Sequence, residues 1–291
     1  MSSPTAARHS AAPSTASQET PLFFEAAGRP LYGVYHAPAP GRAGAPLLVQ
    51  CHSLGVELVT NYRNEVLCAR AAAAAGFPVF RYHARGHGDS AGDFAAVTFA
   101  GLVEDALAAA GQGLARSGAR GMVWLGVRFG ALVAAAALER GGAPRGLALW
   151  EPVEEPAGYF RRQLRGLLFS RAAKGERPNA TVDELLARVA SEGQVDVHGY
   201  YLHRALVESV TGLGLAGLLA AWKGPTLLAQ IQARPRLAPE HAALVEGLEL
   251  RGVRVAVTRV AEEPGWHFIS NPAWESEALV RETVEWLRAV A

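Results

Sequence analysis

Apolar positions along the chain fall into short, mostly apolar runs that alternate with longer stretches of helical period. Leu47–Gln50, Pro78–Tyr82, Met122–Gly126 and Gly146–Trp150 are runs of the first kind. Between them lie the Ala-rich Asn64–Ala75, the periodic Thr98–Ser117 and the small-residue stretch Phe129–Glu139. Strand, helix and strand alternating at this spacing predict a parallel sheet with helices on both faces. Ahead of this alternation, PLFFEAAGRPLYGVYHAP from Pro21 reads as two strands joined by a turn at Gly28. The pattern lapses over Glu151–Lys223, which is mostly helical, with Tyr159–Ser170 and Val182–Ser191 the clearest pieces. It resumes as strand Thr226–Ile231, helix Pro239–Leu250, strand Val253–Arg259 and helix Pro272–Val290. The expected organisation is a core of 21–150 and 224–291, with a helical cap inserted at 151–223 over the carboxyl ends of the strands, where open α/β sheets bind ligands.

Composition narrows the picture. Half of the 291 residues are apolar, enough for a sizeable core. Residues 1–20 are mostly Ser, Ala, Thr and Pro and predict a disordered tail. They lack the apolar core of a signal peptide. Twenty-eight basic against 27 acidic residues leave a net charge of +1, so no global field favours nucleic acid or an anionic membrane. No run is long enough for an integral membrane segment. Two cysteines, Cys51 and Cys68, exclude a disulfide scaffold or multi-cysteine zinc site and fit a reducing, cytoplasmic setting.

Three segments carry chemistry. Arg81-Tyr82-His83-Ala84-Arg85-Gly86-His87-Gly88-Asp89-Ser90 follows an early strand. Leu125-Gly126-Val127-Arg128-Phe129-Gly130-Ala131 lies at a strand-to-helix junction. Pro264-Gly265-Trp266-His267-Phe268 lies between the last strand and the last helix. In order and spacing they resemble, in turn, the D-x-R-G-x-G-x-S turn, the nucleophile elbow and the catalytic-histidine loop of the α/β-hydrolase superfamily. The resemblance spans roughly residues 21–290 and implies the α/β-hydrolase fold. A closer one, to the second type of hydrolase-like protein encoded with exosortase A systems, rests on the G-x-R-x-G elbow Gly126–Gly130, on Leu149-Trp150-Glu151-Pro152-Val153 and on the Arg161–Leu168 helix.

The departure from the superfamily is informative. Its elbow carries Ser, Cys or Asp; this chain carries Arg128, a guanidinium that is always protonated and cannot attack a carbonyl. The position that usually supplies the acid reads Gln232-Ala233-Arg234-Pro235-Arg236. Of the triad, His267 alone stands where the resemblance implies. Arg128 at a helix N-terminus forms either an anion site or an internal ion pair, with Glu151, after the adjacent strand, as the expected partner. Phe129, His52, Ser53, Leu54 and Trp266 complete the expected pocket. Ser53 or Cys51 with His267 is the candidate displaced nucleophile pair. Arg161, Arg162 and Arg165 are a solvated face or a basic lip over the pocket, and Trp150, Trp222, Trp266, Tyr200 and Tyr201 either core or an acyl slot. His83 and His87 lack a third ligand at metal spacing, so no metal and no cofactor is expected.

Three functions stay open at this level. One is a catalytically silent binding or scaffolding protein, taking a small anionic or acyl-bearing ligand or a protein partner. Another is a hydrolase of esters, thioesters or acyl groups with a displaced nucleophile. The last is a non-hydrolytic enzyme using Arg128 and His267.

Overall fold

The computed structural model of the chain describes residues 18–176, 180–232, 236–265 and 274–290. It opens with strands β1 (Glu19–Ala26), β2 (Arg29–His36) and β3 (Leu47–Cys51), helix α1 (Gly55–Ala74), strand β4 (Val79–Tyr82) and helix α2 (Phe99–Ser117). Strand β5 (Met122–Val127), helix α3 (Gly130–Leu138) and strand β6 (Pro144–Trp150) follow. A segment with helices α4 (Pro156–Ala173) and α5 (Val182–Glu192), hairpin strands β7 (Gln194–Val197) and β8 (Tyr200–His203) and short helices α6 (Arg204–Ser209) and α7 (Leu215–Leu218) comes next. Strand β9 (Thr226–Ile231), helix α8 (Pro239–Leu250), strand β10 (Val255–Val260) and helix α9 (Glu277–Val290) complete the chain.

Eight of these strands form one sheet in the order β1-β2-β4-β3-β5-β6-β9-β10. The β1–β2 and β2–β4 pairs are antiparallel, and the other pairs are parallel. The largely apolar look of the central strands has a direct cause: every residue of β3, β5 and β9, including the polar Gln50, Thr226 and Gln230, is buried, because both faces of the sheet are covered. One face packs against α2, α3 and α8 through residues such as Phe80, Trp124 and Leu248. The other packs against α1 and α9 through Leu48, Leu125, Ala69 and Leu287.

Local signals set several helix ends. Thr98 caps α2 by accepting from Gly101 N–H, and Gly118, at φ 66°, ends it in the left-handed region. Thr181 and Glu184 form a reciprocal capping box at α5.

The structure departs from the sequence reading at definite places. Order begins before Pro21, since Glu19 and Thr20 already pair with His36 and Tyr35, so the expected tail of 1–20 is two residues too long at least. Helix α1 starts at Gly55, nine residues ahead of Asn64, and α9 starts at Glu277. The β7–β8 hairpin interrupts the stretch expected to be mostly helical.

Candidate functional site: an occupied elbow

Strand β5 ends at Val127 and α3 begins at Gly130, so the chain must reverse within two residues. Arg128 makes that reversal at φ 54°, a left-handed conformation that non-glycine residues rarely adopt and that functional turns tend to hold. Its backbone is tied on both sides: Arg128 N–H donates to Trp150 O at 3.0 Å, and Val153 N–H donates to Arg128 O at 3.2 Å. The flanking glycines are steric necessities. A Cβ on Gly126 would lie 2.4 Å from Ala131 Cα, and one on Gly130 would lie 2.1 Å from Cys51 O. Gly130→Ala therefore has to displace the Cys51–His52 backbone. A loss of about 1–3 kcal/mol, the usual range for overpacking, is expected in urea titrations; parent-like stability would show that the turn can relax.

The Arg128 guanidinium is held on three sides. Nε donates to Glu57 Oε2 at 3.1 Å and Nη2 donates to Glu57 Oε1 at 3.1 Å, a two-pronged charge-assisted pair. Nη1 donates to the Glu151 carbonyl at 2.8 Å. Glu57 lies in the first turn of α1, where the helix dipole favours a carboxylate. Two groups from α4 close over it: Tyr159 Oη donates at 3.2 Å and Gln163 Nε2 at 2.7 Å. Burial alone would lower the guanidinium's pKa, but the charge and hydrogen bonds of Glu57 outweigh it and hold the pKa above the usual value. Burial, and next the Glu57 charge, push the Tyr159 hydroxyl well up.

This corrects the expected partner. The carboxylate on Arg128 is Glu57, while Glu151 meets it through its backbone carbonyl. The Glu151 side chain turns instead to the carboxyl end of β9, accepting from Ile231 N–H at 2.6 Å and Gln232 Nε2 at 2.6 Å. The chain bends at Glu151 with φ 40°, which separates the direction of its side chain from that of its carbonyl.

The other expected pocket residues scatter. Phe129 is fully buried and stacks on Phe160 of α4, with ring centroids 6.1 Å apart. His52 spends both ring nitrogens on structure: Nδ1 lies 2.7 Å from Ser53 O, and Nε2 accepts from Ala84 N–H at 3.1 Å. Burial, and next the neighbouring His87, lower its pKa to about 3, so it is neutral and occupied. Ser53 is fully buried and its Oγ has no hydrogen-bond partner among the described residues. Burial raises the Cys51 thiol to about 12, leaving it protonated and a poor nucleophile. Leu54 is the N-cap of α1 and lines a cavity of about 50 Å³ under α4 and the hairpin. Trp266 and His267 lie outside the described residues.

The described members of the suggested acyl slot lie apart. Trp150 is core, donating through Nε1 to Thr283 of α9 at 2.9 Å, whereas Tyr200 and Tyr201 are exposed on the hairpin. Arg161 pairs with Asp183 of α5 at 2.7 Å, and Arg162 and Arg165 face solvent. Arg85 is a structural arginine, with Nη2 2.7 Å and Nε 3.0 Å from Asp105 Oδ1. Among the described residues no group of three His, Cys, Asp or Glu side chains could hold a metal ion. Nor is any described helix long and apolar enough to cross a membrane.

No protein-family model and no curated protein matches the chain. Solved structures do. Est1E from Butyrivibrio proteoclasticus, with ferulic acid bound, aligns at TM-score 0.65 and 15% identity over 92% of this chain and 96% of that one. An esterase from Pyrococcus furiosus aligns at TM-score 0.62 and 15% identity over 94% and 92%. A putative hydrolase from Agrobacterium vitis S4 aligns at TM-score 0.59 and 17% identity over 94% and 98%. With the sheet order, these likenesses show that the chain has the α/β-hydrolase fold. At such identities they carry the fold and not the activity.

Proposed function

We propose that this chain is a non-hydrolytic member of the α/β-hydrolase fold, a binding or scaffolding protein that has exchanged its nucleophile for a structural ion pair. The observation that carries this reading is the Arg128–Glu57 pair. The elbow side chain cannot attack a carbonyl, and it is locked to a carboxylate that Tyr159 and Gln163 cover from above. Residues 151–223 then act as a cap that is bonded down onto the elbow. The adjacent cavity of about 50 Å³ has room for only a few waters, well short of the roughly 300 Å³ of an ordinary ligand pocket. In the setting that the exosortase resemblance implies, the protein works in the cytoplasm beside an exopolysaccharide or envelope system.

One observation weighs against Cys51 as a displaced nucleophile: burial holds its thiol protonated. The use of Arg128 to polarise a carbonyl is disfavoured by the donors it already commits to Glu57 and Glu151. The expected result is no turnover of short-chain nitrophenyl esters above the rate of a heat-unfolded control. Turnover that His267→Ala abolishes would overturn the silent reading and establish a hydrolase.

A further inference from the structure

A second ring-lined cavity neighbours the one under α4 and shares Phe94, Tyr200 and Tyr201 with it. It encloses about 490 Å³ between the first turns of α1, the loop after β4 and the tip of the β7–β8 hairpin. That volume falls inside the range of small-molecule pockets, roughly 300–1,000 Å³. Neither Arg128, Glu57, Tyr159 nor Gln163 lines it. Its walls are rings: Tyr62 from α1, Phe94 and His87 from the loop, and Tyr200 and Tyr201 from the hairpin. Phe94 packs edge-on against His87 at 4.8 Å and 85°, which fixes both planes. The mouth is greasy as well as open, with Val59, Tyr200 and Tyr201 exposed by 46%, 37% and 45%.

The polar equipment is small and specific. His83 Nδ1 lies 3.4 Å from Asp89 N and 3.8 Å from Asp89 Oδ2; in the tautomer that accepts from the Asp89 N–H, the ring proton is on Nε2. Nε2 then donates to Tyr62 Oη at 3.3 Å, so the phenolic proton of Tyr62 remains for another acceptor. His87 Nδ1 lies 2.9 Å from the Arg85 carbonyl, which can only accept, so that ring carries its proton on Nδ1. Burial is the largest cause that lowers the pKa of both His83 and His87, which keeps both neutral at neutral pH. Among the described residues no Lys, Arg, Asp or Glu lines the cavity. The nearest charges lie behind the walls, with the Arg81 guanidinium 5.4 Å from the centre of the Tyr62 ring and Asp89 Oδ2 3.8 Å from His83 Nδ1, so a charged ligand would lose its hydration without a direct ion pair, whereas a flat neutral one would stack.

We propose that this cavity binds a small neutral aromatic molecule carrying one oxygen acceptor, in the simplest case a phenol, with Tyr62 as its hydrogen-bond donor. The proposal does not depend on whether the elbow is silent. The test is calorimetric titration of the full chain at neutral pH with 4-methylphenol, toluene and 4-methylbenzoate. The expected result is saturable binding of 4-methylphenol, about tenfold tighter than toluene for one added hydrogen bond, and no binding of the anion. Tyr62→Phe is expected to erase the preference for 4-methylphenol over toluene. Val59→Trp, which fills the mouth from an exposed position, is expected to weaken both by more than about tenfold. The proposal is overturned if 4-methylphenol does not saturate, if the benzoate binds as well as the phenol, or if neither substitution changes the affinity.

Discussion

Arg128→Ala is expected to lower the unfolding free energy by about 3–5 kcal/mol, the usual cost of stranding one member of a buried pair. The stranded partner is Glu57, which is 2% exposed and, without the guanidinium, keeps only the neutral donors Tyr159 and Gln163. Glu57→Ala is expected to cost a similar amount, because it leaves a buried guanidinium with the Glu151 carbonyl but no bidentate carboxylate. It also removes the acceptor that ties α4 to the core, so limited proteolysis should cut the segment between β6 and β9 first. The double substitution Arg128→Met with Glu57→Leu is expected to recover most of the loss, since an apolar pair of similar volume often matches a buried ion pair. Urea unfolding of the four proteins decides the matter. If each single substitution melts like the parent, the elbow pair is not holding the fold, and the account of why the nucleophile position carries arginine fails with it.

Much of this arrangement is legible in the sequence, and the part that is not has physical reasons. Thr226–Ile231 and Pro239–Leu250 match the observed elements because their ends are marked by composition: a mostly apolar run followed by the polar stretch from Gln232, and a proline at the first helical position. The elbow is legible from Gly126 and Gly130 alone, because two steric demands for glycine at that spacing admit few other turns. Glu57 escapes notice because α1 hides its first half. The buried stripe there is Glu57, Thr60, Asn61, Asn64 and Glu65, helical in period but polar, and a search for apolar periodicity passes over it. Reading the period with residue type ignored extends the helix to Gly55 and brings a carboxylate to the elbow. The β7–β8 hairpin has a signal of its own. His198-Gly199, with φ values of 58° and 86°, is the two-residue turn that matches strand twist, and it stands between QVDV and YYLH. Glu151 misleads for another reason. Its position after the neighbouring strand is plain, but nothing in the sequence reveals a φ of 40°, and that dihedral sends its carboxylate to Ile231.

The same polar stripe makes a second, pH-resolved expectation. Glu65 is 3% exposed, and its Oε1 has no hydrogen-bond partner among the described residues. Burial, only partly offset by the Arg81 charge, raises its pKa from 4.5 to about 7. Between those two values the folded state holds a proton that the unfolded chain has released, so stability falls as pH rises through this window. Above it the folded protein carries a buried carboxylate, and the displacement corresponds to a cost of roughly 3 kcal/mol. Glu65→Gln keeps the shape and cannot ionise. The variant is therefore expected to match the parent near pH 4, where Glu65 is largely protonated in both the folded and the unfolded chain, and to exceed it by up to about 3 kcal/mol near pH 8–9. Denaturant titrations of both proteins at the two pH values measure the difference. A stability gain that is equal at both, or a loss at the higher pH, would mean that Glu65 is not buried as a charge in the folded protein and that the polar stripe of α1 is solvated.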